Sequence, residues 1–296
     1  MVAPSGPTYK HSFLCVSLCL GVLVVNPLTE LIQEISIRRC RPEGTDEATD
    51  LVAVEEPLEI RLAGEPFQVL MRLPGLEKEL AVGFLYTEGI IRSLADITTL
   101  HFCGTATDPL LPPNVVDIIL SEEAQARTGR RHLEVAYSSC SLCAKEAVAE
   151  IRQKMDPVDS DLTINRASLL GLMERMAAAQ EVFKKTGGAH GVALASPDGK
   201  VFLIAEDIGR HNAMDKVIGQ ALLQRLDMTR MVALLSGRIS FEMALKTARA
   251  GIPILAAVSA PTSMALALAQ ELRVTLVGFA RRDRMNIYTH PERILD

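Results

Sequence analysis

The alternation of apolar and polar positions divides the chain into two unlike halves. In the second, Met231 to Leu235, Ile252 to Val258 and Val274 to Phe279 are near-continuous apolar runs, as strands buried on both faces should be. Between them, segments near Asn212 to Leu226, Phe241 to Ala250 and Thr262 to Leu272 carry apolar residues at helical spacing. Gly191 to Ser196 and Val201 to Glu206 read as a hairpin turned at Pro197-Asp198-Gly199. A further helix is expected from about Arg166 to Lys185, its apolar face made of Leu169, Leu170, Met173, Met176 and Ala177, with Thr186-Gly187-Gly188 as its stop. This order predicts an α/β unit, a mostly parallel sheet with helices on its faces, over residues 166–296.

The first half has shorter elements. Strands are predicted at Leu51 to Glu55, Leu58 to Leu62 and Phe67 to Leu73, broken at Pro57, at Ala63-Gly64-Glu65-Pro66 and at Pro74-Gly75. A helix follows from Leu76 to Ile90, with Leu76, Leu80, Ala81, Phe84 and Leu85 on one face and Glu88-Gly89 at its close. Ile97 to Phe102 and Val115 to Leu120 read as strands. Residues 27–165 thus form a smaller, β-rich α+β domain, ending in a linker at Pro157 to Asp161. Residues 1–26 fall outside this pattern. Phe13 to Val25 is apolar, too short for a typical spanning helix, and no Ala-x-Ala-like cleavage site follows it. The reading adopted is a translation start placed too far upstream, with the fold beginning near Pro27.

Composition narrows the functional classes. With 296 residues, 48% of them hydrophobic, the chain can bury two cores. A net charge of −5 supplies no global field for nucleic acid or anionic membrane, and 4% aromatics without tryptophan argue against base-stacking arrays. Neither nucleic acid nor membrane is expected as a partner. Six cysteines with one tight pair suit a reducing compartment rather than a disulfide scaffold.

That pair is Cys140 and Cys143, in Tyr137-Ser138-Ser139-Cys140-Ser141-Leu142-Cys143-Ala144-Lys145. Helical spacing of Ala144, Ala147, Val148, Ile151 and Met155 puts the thiols at or just before a helix start. There the free N–H groups, the helix dipole and Lys145 favour thiolate. The spacing alone admits half a zinc site, a dithiol redox pair, a sulfur-relay site or two structural cysteines. Zinc needs a second ligand pair, and Cys15, Cys19, Cys40 and Cys103 are scattered. No metal site is therefore expected.

A second constellation lies where the parallel strands end, the usual ligand edge of such folds. It comprises Asp207-Ile208-Gly209-Arg210-His211-Asn212, Ser236-Gly237-Arg238, Ser259-Ala260-Pro261-Thr262 and Phe279-Ala280-Arg281-Arg282-Asp283-Arg284. The first three are expected to open helices, and five arginines, Arg210, Arg238, Arg281, Arg282 and Arg284, share the rim. Helix N-termini with arginines suit a small polyanion such as phosphates. His190 and His211 are open between proton carrier, phosphate contact and structural histidine.

Taken with Thr186-Gly187-Gly188-x-His190, Asp215-Lys216, Ala260-Pro261-Thr262-Ser263, Ile287-Tyr288-Thr289 beyond Arg284, and Glu79 to Ile90, these motifs resemble the FdhD-type accessory sulfurtransferases of formate dehydrogenase. The resemblance runs from about residue 50 to the C-terminus. It implies a cytidine-deaminase-like fold for the second domain and a cytoplasmic homodimer. It also implies a sulfur carrier that takes persulfide sulfur from a cysteine desulfurase. That sulfur passes to molybdenum (or tungsten) bis(molybdopterin guanine dinucleotide), the bound substrate, which then enters formate dehydrogenase. Cys140 matches the family's persulfide position and Cys143 its partner; Phe279 through Arg284 match the segment credited with holding the guanine dinucleotide. Arg210, His211, Ser236 and Arg238 are added from the rim described above. Ser141 and Ala144 stand where glycines are common in the family, which predicts a stiffer loop. A zinc deaminase is excluded, because Val192 stands where H-x-E needs its glutamate after His190, and the histidine follows the cysteine pair. A dithiol oxidoreductase leaves the arginines unexplained, and a non-catalytic cofactor escort leaves the dithiol idle.

Overall fold

A computed structural model describes residues 28–103, 114–128 and 155–296. The first half opens with a single helical turn, α1 (Leu28–Leu31), and a two-stranded ribbon, β1 (Ile32–Arg41) and β2 (Gly44–Ala53). A four-stranded sheet follows, formed by β3 (Glu56–Leu62), β4 (Glu65–Arg72), β5 (Ile97–Cys103) and β6 (Val115–Leu120) in the order β4-β3-β6-β5. Helix α2 (Glu77–Thr87) packs Leu80, Ala81 and Leu85 against Leu58, Ile60, Val116 and Ile118 of that sheet. Helix α3 (Glu122–Thr128) closes the described part of this half.

In the second half, β7 (Ile164–Asn165) leads into α4 (Arg166–Ala179) and α5 (Glu181–Thr186). Then come β8 (His190–Ala195), β9 (Phe202–Asp207), α6 (Arg210–Leu223), β10 (Val232–Leu235), α7 (Phe241–Arg249), β11 (Ile254–Ala257), α8 (Ser263–Glu271), β12 (Thr275–Arg281), β13 (Arg284–Ile287) and β14 (Ile294–Leu295). The six-stranded sheet has the order β13-β12-β11-β10-β8-β9. β10, β11 and β12 pair in parallel, while β8 runs antiparallel to β10 and β9, and β13 antiparallel to β12. Side chains alternate between its faces: Val192, Leu194, Ala233 and Leu255 meet α6, α7 and α8, whereas Ala193, Val232, Leu234 and Ile254 meet α4. The unit is a three-layer α/β structure.

Several expected boundaries moved, each for a physical reason. Strand β2 begins at Gly44 rather than Leu51, because its long outer portion is held by pairing with β1 and not by an apolar pattern. Pro57 and Pro66 lie inside strands instead of breaking them. On β3 the parallel pairing with β6 starts only at Glu59, and Pro66 lies on the edge strand beside a register shift, so neither position owes a ladder donor on its open side. The helix expected over Arg166 to Lys185 is two helices. Buried Gln180 leaves helical geometry (φ −79°, ψ 82°), and the Glu206 carboxylate, from β9, accepts from Val182 N at 2.9 Å and Phe183 N at 2.8 Å. A cap delivered from another strand has no local signature. On α4 it is Leu172, not Ala177, that joins Leu169, Met173 and Met176 in the core. The Pro157 to Asp161 segment is irregular yet anchored: Val158 is buried with its N–H on Leu272 O, and Ser160 Oγ donates to Thr229 O.

The two halves meet through helices without side chains at the crossing. A Cβ on Gly83 of α2 would lie 1.9 Å from Asp215 O, and one on Gly219 of α6 would lie 1.9 Å from Glu79 O. The backbones touch, and α6 is buried from Ala213 to Ala221.

Candidate functional site

The C-terminal ends of β9, β10, β11 and β12 lie along one edge of the sheet, where β8 begins, and the loops there are joined side to side. Gly191 N donates to Ser236 Oγ at 2.9 Å and Ser236 N returns to Gly191 O at 3.0 Å. His190 Nδ1 lies 3.7 Å from where a side chain on Gly237 would begin. Ile239 N donates to Ala260 O at 3.1 Å, and Phe279 N to Ser259 O at 3.2 Å. One continuous band therefore runs from His190 through Ser236 and Ala260 to Phe279.

One expected helix start differs in detail and another holds. Ser236-Gly237-Arg238 does not itself open a helix. Ile239 bridges to Pro261 first, and α7 begins at Phe241 after an N-cap at Ser240. Thr262 does cap α8, its Oγ accepting from Ala265 N at 3.3 Å. The Phe279 to Arg284 segment is a strand end and a hairpin turn. β12 continues to Arg281, Phe279 (φ 53°) and Arg282 (φ 57°) adopt left-handed backbone, and Arg281 pairs with Arg284 across the turn. The hairpin carries Arg281, Arg282, Asp283 and Arg284 into solvent, whereas Ala280 is buried in the core beneath.

Among the described residues, none of Arg210, Arg238, Arg281, Arg282 and Arg284 forms an ion pair with a carboxylate within 4.0 Å. Unneutralised guanidinium groups on one edge attract an anion. Arg210 also acts on the histidines. Burial and the Arg210 charge together hold the His190 imidazole below its usual range, against the opposing pull of Asp207. Burial, Arg210 and Lys246 do the same to His211, opposed by Glu242 and Glu88, and His211 Nε2 lies 3.9 Å from Glu242 Oε2. Both histidines are thus kept neutral near pH 7.

Much of the Glu206 to Lys216 motif holds the edge in place. Asp207 is fully buried, accepting from Leu73 N at 3.2 Å, Gly209 N at 3.0 Å and Asn212 Nδ2 at 3.0 Å, with Lys216 Nζ at 2.7 Å. Lys216 Nζ also donates to Leu73 O at 2.7 Å, and Asn212 Nδ2 to Met71 O at 2.7 Å. One carboxylate therefore ties the start of α6, and with it Arg210, to the end of β4. Nearby, Lys246 Nζ lies 2.8 Å from Asp215 Oδ1, 2.8 Å from Thr87 Oγ1 and 3.3 Å from Glu88 Oε1, a buried junction between α2, α6 and α7. Sequence reasoning missed these roles. The available signal was a pair of adjacent charges, Asp215-Lys216, flanked by the apolar residues Ala213, Met214, Val217 and Ile218.

Cys140 and Cys143 lie outside the described residues, as do Cys15, Cys19 and residues 1–26. The structure therefore brings together His190, Arg210, Ser236 and the Phe279 to Arg284 hairpin along one edge. His211 stands beside Arg210 but turns toward Glu242. Among the described residues, no cluster of three or more histidine, cysteine, aspartate or glutamate side chains could hold a metal ion, and no helix is long and apolar enough to cross a membrane.

Comparison with known proteins defines the class. The model of the FdhD/NarQ family matches residues 53–295, and the chain belongs to that family. Among similar proteins, one from Mycolicibacterium paratuberculosis named sulfur carrier protein FdhD is 46% identical over 254 residues, 83% of this chain and 92% of its own. Proteins of the same name from Thermoplasma acidophilum and Saccharolobus solfataricus are 39% and 37% identical, over 86% and 89% of this chain and 90% and 98% of theirs. A crystal structure of a candidate formate dehydrogenase accessory protein from Desulfotalea psychrophila superposes with a TM-score of 0.73 at 28% identity, covering 90% of this chain and all of that one.

Proposed function

We propose that this protein is a sulfur carrier for formate dehydrogenase maturation, accepting persulfide sulfur on Cys140 and passing it to molybdenum bis(molybdopterin guanine dinucleotide). The observation that carries the reading is the coincidence, within one family-matched span, of a Cys140-x-x-Cys143 dithiol and an edge of arginines that form no ion pair among the described residues. In the first step the Cys140 thiolate attacks the terminal sulfur of a cysteine desulfurase persulfide. The new S–S bond forms on Cys140 as the donor's S–S bond breaks, and the donor leaves as a thiolate. Attack of Cys143 on the inner sulfur of Cys140 would then release hydrosulfide and leave a Cys140–Cys143 disulfide, which an external dithiol must reduce.

The arginine edge would hold the pyrophosphates of the substrate, with Phe279 to Arg284, Arg210 and Arg238 supplying charge and Ser236 and His211 polar contacts. We further read residues 166–296 as a cofactor-binding domain of cytidine-deaminase-like topology, a reading supported by the strand order β9-β8-β10-β11-β12, with residues 27–165 as the domain bearing the dithiol. Residues 1–26 are assigned to neither. A cytoplasmic homodimer with formate dehydrogenase as client fits the same reading.

The test is intact mass after incubation with a cysteine desulfurase and cysteine. A reductant-sensitive gain of one sulfur in the wild type, absent in Cys140→Ala, is expected. Equal gain in Cys140→Ala would remove Cys140 from the mechanism.

A further inference from the structure

The seam between the two halves opens, at the end of α6 opposite Arg210, into a cavity of about 500 Å³. Helix α6 spans 14 residues, so at ~1.5 Å per residue the cavity lies roughly 20 Å from the ligand edge. Its floor is apolar and comes from both halves. Tyr86 and Leu94 contribute from the first and Leu222 from the second, and Tyr86 and Leu222 pack against the cores of both. Tyr86 Oη donates to Arg249 O at 3.2 Å, which ties down its polar tip and holds the ring as part of the wall.

Arg92 and Arg225 line the same cavity, and no carboxylate of the described residues lines it. Among the described residues neither guanidinium forms an ion pair. The carboxylates near them in sequence are engaged elsewhere. Glu88 lies 3.3 Å from Lys246 Nζ, and Asp227 accepts from Thr229 N at 3.0 Å and Thr229 Oγ1 at 2.6 Å. Asp96 accepts from Arg92 N at 2.6 Å and lies 2.6 Å from Arg127 Nη2, so it holds the loop that carries Arg92 without neutralising the side chain.

Arg225 also stands where glycine is the least costly residue. Leu226 N donates to Ala221 O and Arg225 N to Leu222 O, both at 2.9 Å, the paired bonds of a left-handed helix stop, and Arg225 has φ 55°. A side chain strains the backbone there. An arginine at this position is therefore held against local stability, in a chain whose net charge is −5.

We propose that this cavity docks an acidic peptide segment of a partner protein. One apolar side chain of the segment rests on Tyr86, Leu94 and Leu222, and carboxylates on either side of it pair with Arg92 and Arg225. The arginines select for charge, and the floor selects for an apolar residue between the charges. Because the wall is built from both halves, the docked segment bridges them.

The experiment is fluorescence anisotropy of the full chain with three labelled peptides, Glu-Glu-Leu-Glu-Glu, Glu-Glu-Ser-Glu-Glu and Lys-Lys-Leu-Lys-Lys, for wild type, Arg92→Glu, Arg225→Gly and Arg281→Ala. Wild type should bind the first about tenfold more tightly than the second, as burial of one leucine side chain predicts, and should not bind the third. Arg92→Glu and Arg225→Gly should each lose about tenfold to a hundredfold, the range of one charge-assisted hydrogen bond. Arg225→Gly should melt no lower than wild type, because glycine relieves the left-handed position, so its loss of binding is not a loss of fold. Arg281→Ala should bind like wild type, which separates this site from the arginine hairpin. Equal binding of the two acidic peptides, unchanged binding by Arg225→Gly, or no binding of Glu-Glu-Leu-Glu-Glu by wild type would each overturn the proposal. Self-association that is lost in Arg92→Glu, with no peptide bound by wild type, would overturn it in favour of a second copy of this chain as the occupant.

Discussion

Lys216 Nζ sits 2.7 Å from Asp207 Oδ2 with both side chains essentially excluded from water. The pair joins α6 to β9, and through Leu73 it joins both to the end of β4. The start of α6, where Arg210 stands, is therefore positioned by residues from the first half of the chain.

The two partners should not be equivalent. Lys216→Met leaves Asp207 with three N–H donors, Leu73, Gly209 and Asn212. Asp207→Asn leaves a buried ammonium facing carbonyl oxygens alone, and should cost about 3–5 kcal/mol, the range for an orphaned buried charge. Urea unfolding midpoints should rank Asp207→Asn below Lys216→Met. The reverse order would mean that the carboxylate is the poorly satisfied partner.

The α2–α6 crossing gives a second contrast. Gly219→Ala puts a methyl 1.9 Å from Glu79 O, so the helices must separate. We expect a loss of at least about 3 kcal/mol, at the upper end of overpacking costs. Gly171→Ala, in the exposed interior of α4 with nothing within 4 Å, should instead stabilise by about 0.5–1 kcal/mol. Thermal melts of the two variants should shift in opposite directions.

His190 should make stability and anion binding depend on pH with opposite signs. Its folded pKa is depressed by burial and Arg210, so between that value and the ordinary ~6.5 the unfolded chain binds more protons. Stability therefore rises with pH through this window and is flat, with respect to this group, above it. Protonation of the folded form adds positive charge to the edge, so pyrophosphate should bind more tightly as pH falls through the depressed value. His190→Gln should remove this group's share of both dependences, leaving those of His211 and of pyrophosphate itself, and proton NMR of the His190 ring should report a pKa below that of a free imidazole.

Arg281→Ala or Arg284→Ala should weaken GDP and pyrophosphate alike by about tenfold to a hundredfold, as loss of a charge-assisted hydrogen bond does. Sulfur loading on Cys140 should be unchanged in either variant. Loss of loading together with nucleotide binding would mean that the two functions share one site.

How far the sequence could be read depended on the range of the interactions involved. Ile97 to Phe102 and Val115 to Leu120 were legible as strands, and α6, α7 and α8 as helices, because an apolar face repeats with the period of its own element. The arginine-rich loops were legible as a group because strand ends converge on one edge whatever the side chains do. Gln180 could not be read as a helix break, since the carboxylate that caps the next helix comes from Glu206, 26 positions later. Tyr288 was legible as part of the motif that follows Arg284, but not the place of its ring, which lies against the missing side chain of Gly278 on the neighbouring strand.

By itself, then, the sequence determined the α/β order of the second half, the mixed α and β character of the first, the dithiol spacing and the supply of arginines. Periodicity and composition are properties of the chain that survive in any compact fold. The tertiary structure alone decided that α2 and α6 touch backbone to backbone at Gly83 and Gly219. It alone decided that Asp207 and Lys216 brace the edge rather than face it, and that the Tyr288 ring packs where Gly278 has no side chain. Each of these depends on contacts between residues distant in sequence, whose energies exist only once the layers have packed.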